Sequence, residues 1–126
     1  MATAPFFYRY PAKFLRVVDG DTVALVVDTG FGTTRTDHMR LLGVNCPEVH
    51  RTASHAAGMA AMNFTDTTLR SWDDGSPWPL YIETAKADSF GRWLANIWPA
   101  QDHASLSLSQ RIIAAGHGVP FMVATA

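Results

Sequence analysis

The sequence predicts an α+β domain that is mainly β: a five-stranded Greek-key barrel carrying two helices. Three observations predict it. Short valine- and leucine-rich runs, bounded by glycine and aspartate, fill the first third of the chain. One long segment then changes to helical period, and two further β-like runs follow it before a short capped helix.

Phe14 to Val18 and Val23 to Val27 read as the first two strands, joined through the turn signal Asp19-Gly20-Asp21. Asp28-Thr29-Gly30-Phe31-Gly32 is glycine-punctuated and turns the chain into a third strand, Thr36 to Val44, which ends before Pro47. From Thr52 to Trp72, the residues Ala57, Ala61, Phe64, Thr68 and Trp72 recur at steps of three and four, the mark of an amphipathic helix. Asp73-Asp74-Gly75-Ser76-Pro77 stops it. Leu80 to Thr84 and Trp93 to Trp98 are the fourth and fifth strands, separated by a charged loop with Lys86, Asp88, Gly91 and Arg92. Ser107-Leu108-Ser109-Gln110 is a capping box that opens a second helix, and Gly116 closes it. This order, β-β-β-α-β-β-α, matches a barrel of the OB type, whose open face commonly receives nucleic acid or sugars.

A chain of 126 residues is expected to form one domain, 1–126 with its core at about 12–118, large enough to bury about two thirds of its unfolded surface. No repeat or linker divides it. With Cys46 as the single cysteine, no internal disulfide can form, and a reducing cytoplasmic setting is expected. Neither a signal peptide nor a membrane span is read from the chain, and a monomer is expected. The net charge of −1 argues against a generally basic face that coats nucleic acid by counterion release, so any phosphate binding is expected to be local.

Two segments carry the chemistry: Val18-Asp19-Gly20-Asp21-Thr22-Val23 and Arg40-Leu41-Leu42-Gly43-Val44-Asn45-Cys46-Pro47-Glu48. If they are neighbouring strands, Asp21, Arg40, Asn45 and Glu48 converge. Asp21, the Asn45 amide oxygen and the Cys46 carbonyl are hard oxygen donors of the kind calcium takes. Glu48, after a proline at a strand end, is placed to remove a proton from water. An inward arginine such as Arg40 demands an anionic partner, and with Arg92 it makes a clamp for a phosphoryl group that gains negative charge.

Together with Asp88-Ser89-Phe90-Gly91-Arg92-Trp93-Leu94-Ala95, these segments resemble the staphylococcal nuclease (thermonuclease) family, in order across residues 14 to 117. The resemblance implies an OB-fold nuclease that uses calcium, or another divalent cation, to hydrolyse DNA and RNA by water attack and leaves 3'-phosphate ends. It implies that Asp21, Asn45 and the Cys46 backbone carbonyl hold the metal, with Asp19 behind them. It makes Glu48 the general base, Arg40 and Arg92 the phosphate-clamping arginines, and Phe90 a substrate contact. The chain departs from the family at Asn45, where the family has an aspartate; an oxygen is kept, one negative charge is lost, and weak metal binding follows. Phe90 stands in place of a tyrosine, a second tyrosine has no counterpart near Phe121 and Met122, and the family's third, C-terminal helix is missing.

Three other readings compete. Cys46, His50 and His55, with His38, have a spacing that a zinc site could use, although the histidines fall in a loop and a helix start of ordinary composition. Trp72, Trp78, Trp93 and Trp98 are expected in the core rather than as a stacking platform. The rival to an active nuclease is a catalytically weakened nucleic-acid-binding or assembly module on the same barrel, although such a module has no need of Glu48.

Overall fold

The computed structural model describes residues 8–85 and 92–121. Phe90, with Lys86, Asp88 and Gly91, lies outside the described residues, as does Met122. Five strands close a barrel: β1 (Tyr8–Asp19), β2 (Thr22–Gly30), β3 (Thr33–Leu41), β5 (Leu80–Ala85) and β6 (Trp93–Pro99), in the order β1-β2-β3-β6-β5, with β5 returning to β1. Only the β3–β6 pair of this barrel is parallel; the rest are antiparallel. This is the Greek-key barrel expected from the sequence.

Alternation places Val23, Leu25 and Val27 of β2 inside, with Ala12, Met39, Leu80, Ile82, Ala95 and Ile97 from the other barrel strands. Register shifts at Phe14/Arg16 and Val17/Asp19 show where β1 bends. Such bulges add the local twist that a small barrel needs to close. β1 also starts earlier than the expected Phe14, because the stretch from Tyr8 onward pairs with β5.

The expected third strand, Thr36 to Val44, is in fact two. Gly43 has φ +91°, a conformation open to glycine, and it turns the chain out of the barrel into β4 (Gly43–Asn45). β4 pairs with β7 (Val119–Phe121), a strand without a sequence signal. The long helix α1 (His55–Ser71) follows one 3-10 turn at Thr52–Ser54, so the helical segment starts slightly later than its periodicity suggests. Its most buried positions are Gly58, Ala61, Thr65 and Leu69, while Ala57 is exposed. The true stripe runs one position over from Ala57, through a threonine that is buried because its hydroxyl donates to the Gly20 carbonyl at 2.7 Å.

α2 (Leu108–Ala114) begins with the expected capping box: the Gln110 N–H donates to Ser107 Oγ at 3.3 Å, and the Ser107 N–H donates to Gln110 Oε1 at 2.8 Å. It ends at Gly116 (φ +82°), where the His117 and Gly116 N–H groups reach the Ile112 and Ile113 carbonyls. That Schellman arrangement aims the chain at β4. Trp72 and Trp93 pack on the core, and the Trp98 indole donates to the Ser105 carbonyl. Among the described residues, no helix is long and apolar enough to cross a membrane.

Candidate functional site

The site forms where the β1–β2 turn meets the end of β3 and the start of β4. Two glycines set this approach. A Cβ on Gly20 would lie 2.8 Å from the Ala61 Cβ and 3.0 Å from that of Cys46, so only glycine lets α1 and the β4 exit press on the turn. A Cβ on Gly58 would lie 2.8 Å from the Glu48 carbonyl carbon, so α1 is moulded against the backbone that carries Glu48. The Ser54 hydroxyl pins the same backbone by donating to the Glu48 carbonyl at 2.6 Å.

Arg40 is the centre. Its residue is only 5% exposed, and its Nη1 donates to the carbonyls of Leu41 (3.0 Å), Val44 (2.9 Å) and Asp21 (3.4 Å). Nη2 donates to Asn45 Oδ1 at 3.3 Å and lies 3.4 Å from Asp21 Oδ2. The ring of Phe121 lies 5.8 Å from the guanidinium carbon. The tight turn from Leu41 to Asn45 therefore wraps its carbonyls around a buried cation, as burial of a charge requires.

Asp21 is buried beside it. Its Oδ2 accepts the Cys46 backbone N–H at 2.8 Å, and its own carbonyl accepts the Leu41 N–H at 2.8 Å. Asp21 thus joins the β1–β2 turn to both ends of the β3–β4 corner. Burial pushes the Cys46 thiol up to about 12, with the Asp21 charge adding to the effect, so the sulfur is neutral and is no nucleophile at ordinary pH.

Asp19 shows how the remaining groups are arrayed. Burial raises its carboxyl above the usual 3.8; Asp21 and Glu48 push the same way, while His50 and Arg92 oppose them. Asp21, Glu48 and Arg92 thus lie near enough to Asp19 to act on its charge, and Arg40 joins them through its ion pair with Asp21. Glu48 is half-exposed and ion-paired with Arg51, with His50 Nε2 at 3.5 Å. A cleft of about 300 Å³ lined by Asn45, Cys46, Pro47, His117 and Val119 runs alongside.

The donors that could face a hard cation are all oxygens: the Asp21 and Asp19 carboxylates, the Asn45 amide and the Cys46 carbonyl. The mutual repulsion felt by Asp19 is what a cation would relieve. Among the described residues, no three His, Cys, Asp or Glu side chains stand close enough to hold an ion by themselves. A cation here therefore needs the amide, backbone carbonyls or water. The zinc reading fails, since Cys46, His50, His55 and His38 form no such group.

Arg51, not singled out in the sequence, joins the site, and His50 and Phe121 join it through contacts not expected of them, His50 beside Glu48 and Phe121 over Arg40. Arg51 was legible as the i+3 partner of Glu48; Phe121 was not, because only the β4–β7 pairing brings it over Arg40. No family model matches the chain, and no curated protein matches it.

Proposed function

We propose that the chain is a member of the staphylococcal nuclease family and a divalent-cation-dependent phosphodiesterase that hydrolyses DNA or RNA. The observation that carries this reading is the convergence of Asp19, Asp21 and Glu48 with Arg40 and Arg92 at one end of the barrel. Arg40, its Nη1 held by carbonyls, would turn its Nη2 from Asn45 to a phosphoryl oxygen, and Arg92 would add a second positive charge where the leaving oxygen gains charge. Glu48 accepts the proton of the attacking water. Asp21, Asn45 and the Cys46 carbonyl would hold the cation, calcium by the chemistry of these oxygen donors, which would supply positive charge beside the phosphorus. The product would carry a 3'-phosphate.

The pairing of Glu48 with Arg51 and the missing charge at Asn45 favour the second reading, a weakened binding module. Digestion of supercoiled plasmid and of single-stranded RNA with calcium, magnesium, manganese or chelator separates the two. Cation-dependent cleavage lost in Glu48→Gln supports the enzyme; no cleavage under any cation supports the module.

A further inference from the structure

The barrel has a second concave surface. At the end away from the Asp19–Asp21 turn, inward-facing residues from all five barrel strands line a cavity of about 230 Å³. Its apolar walls are Val27 and Met39, with aromatic rings from Tyr10 on β1 and Trp93 on β6, two strands that are not neighbours in the barrel. Tyr8 and Thr29 complete the lining beside two further polar residues, Thr84 and Arg35. Thr84 is only 8% exposed, lines this cavity, and its hydroxyl makes no hydrogen bond with any described residue. Arg35 lies over the Trp93 ring at 5.8 Å and gives Nε and Nη2 to Asp37, leaving Nη1 without a described partner.

These features select a ligand. The Arg35 charge is already matched by Asp37 at 2.8 Å, so an anion gains little. An alkyl chain would seal the Thr84 hydroxyl away from any partner, which disfavours it. A flat ring system with hydrogen-bonding groups on its edge fits these walls: it can lie between the Tyr10 ring and the stacked Arg35–Trp93 pair, with its edge toward Thr84. Barrel mouths of this kind, apolar with a few placed polar groups, are common ligand sites. The volume suits one heterocycle rather than a drug-sized molecule.

We propose that the open mouth of the barrel binds a single nucleobase, either as a free nucleoside or as a base of a nucleic-acid strand. None of Asp19, Asp21, Arg40, Glu48 or Arg92 lines this cavity, and nucleosides contain no phosphodiester bond, so binding is read independently of any hydrolysis. The test is a titration of the isotope-labelled full chain with adenosine, guanosine, cytidine and uridine, and with a single-stranded tetranucleotide, followed by amide and indole NMR shifts. Saturable shifts centred on Tyr10, Thr84 and the Trp93 indole are expected with at least one probe. Thr84→Val, which keeps the shape of the side chain, should weaken that binding at least fivefold, and Trp93→Leu should remove it. Tighter binding of nucleosides than of the tetranucleotide identifies the free form as ligand; the reverse identifies a strand. Absence of saturable shifts with all five probes, or shifts that Thr84→Val leaves unchanged in affinity, overturns the proposal.

Discussion

Arg40 donates from Nη2 to the Asn45 amide oxygen at 3.3 Å, so the residue that departs from the nuclease pattern is in direct contact with a residue that keeps it. Asn45→Asp would convert this neutral contact into an ion pair and add a carboxylate to the oxygen set. Divalent-cation affinity should rise by about tenfold or more, read by calorimetric titration with calcium. Equal affinity in the two proteins would remove Asn45 from the metal site.

Glu48→Gln keeps size and hydrogen-bonding capacity but cannot accept the proton of water. Cleavage rate should fall by about 10²–10⁴-fold with little change in melting temperature, since Glu48 is half-exposed and its pairing with Arg51 is a surface contact. A matching loss of stability would instead mark Glu48 as structural.

Asp21→Ala leaves the buried Arg40 guanidinium without its carboxylate and the Cys46 N–H without its acceptor. Breaking a buried pair from one side typically costs about 3–5 kcal/mol; the other carbonyls on Arg40 place the expected loss near the lower end. Urea unfolding measures it, and a change below about 1 kcal/mol would contradict the arrangement.

Gly58→Ala should destabilise the protein although alanine favours a helix by about 1 kcal/mol. Its Cβ has no room beside the Glu48–Val49 backbone. The expected net cost is about 1–3 kcal/mol, with a fall in cleavage because Glu48 is displaced. A stabilised variant would mean that the helix yields freely.

Asp19 gives a pH signature. Its carboxyl titrates above 3.8 when folded, so the folded chain holds the proton more tightly than the unfolded one. Stability therefore falls as pH rises from the ordinary carboxylate value through the raised one, and the full penalty is present at neutral pH. Asp19→Asn should be more stable than the parent at pH 7, and the difference should vanish below about pH 4. Calcium added to the parent at pH 7 should recover part of that difference; a flat profile in both proteins would remove Asp19 from the cluster.

The barrel was legible because its signals are local. Alternating apolar runs mark β2, β5 and β6, and Ser107 with Gln110 marks the start of α2. What was not legible depends on contacts distant in sequence. Gly43 reads as one more residue of a strand until the β3–β6 pairing and the β4–β7 ribbon pull the chain in different directions. Thr65 reads as a polar interruption until Gly20 offers it a carbonyl. In the site, residue types and spacing pointed to Asp21, Arg40 and Glu48, but the Arg51 partner and the Phe121 lid are properties of the folded surface. The barrel-mouth cavity had no motif at all, since its lining comes from one or two inward positions on each of five strands.

The β4–β7 ribbon sets the timetable by which the site matures. Phe121 covers Arg40 only after the last strand has found β4, across most of the chain's length, and such distant pairings form late because the intervening loop must first be closed. A growing or partly folded chain thus carries an unfinished guanidinium pocket, which the pairing of β7 with β4 completes.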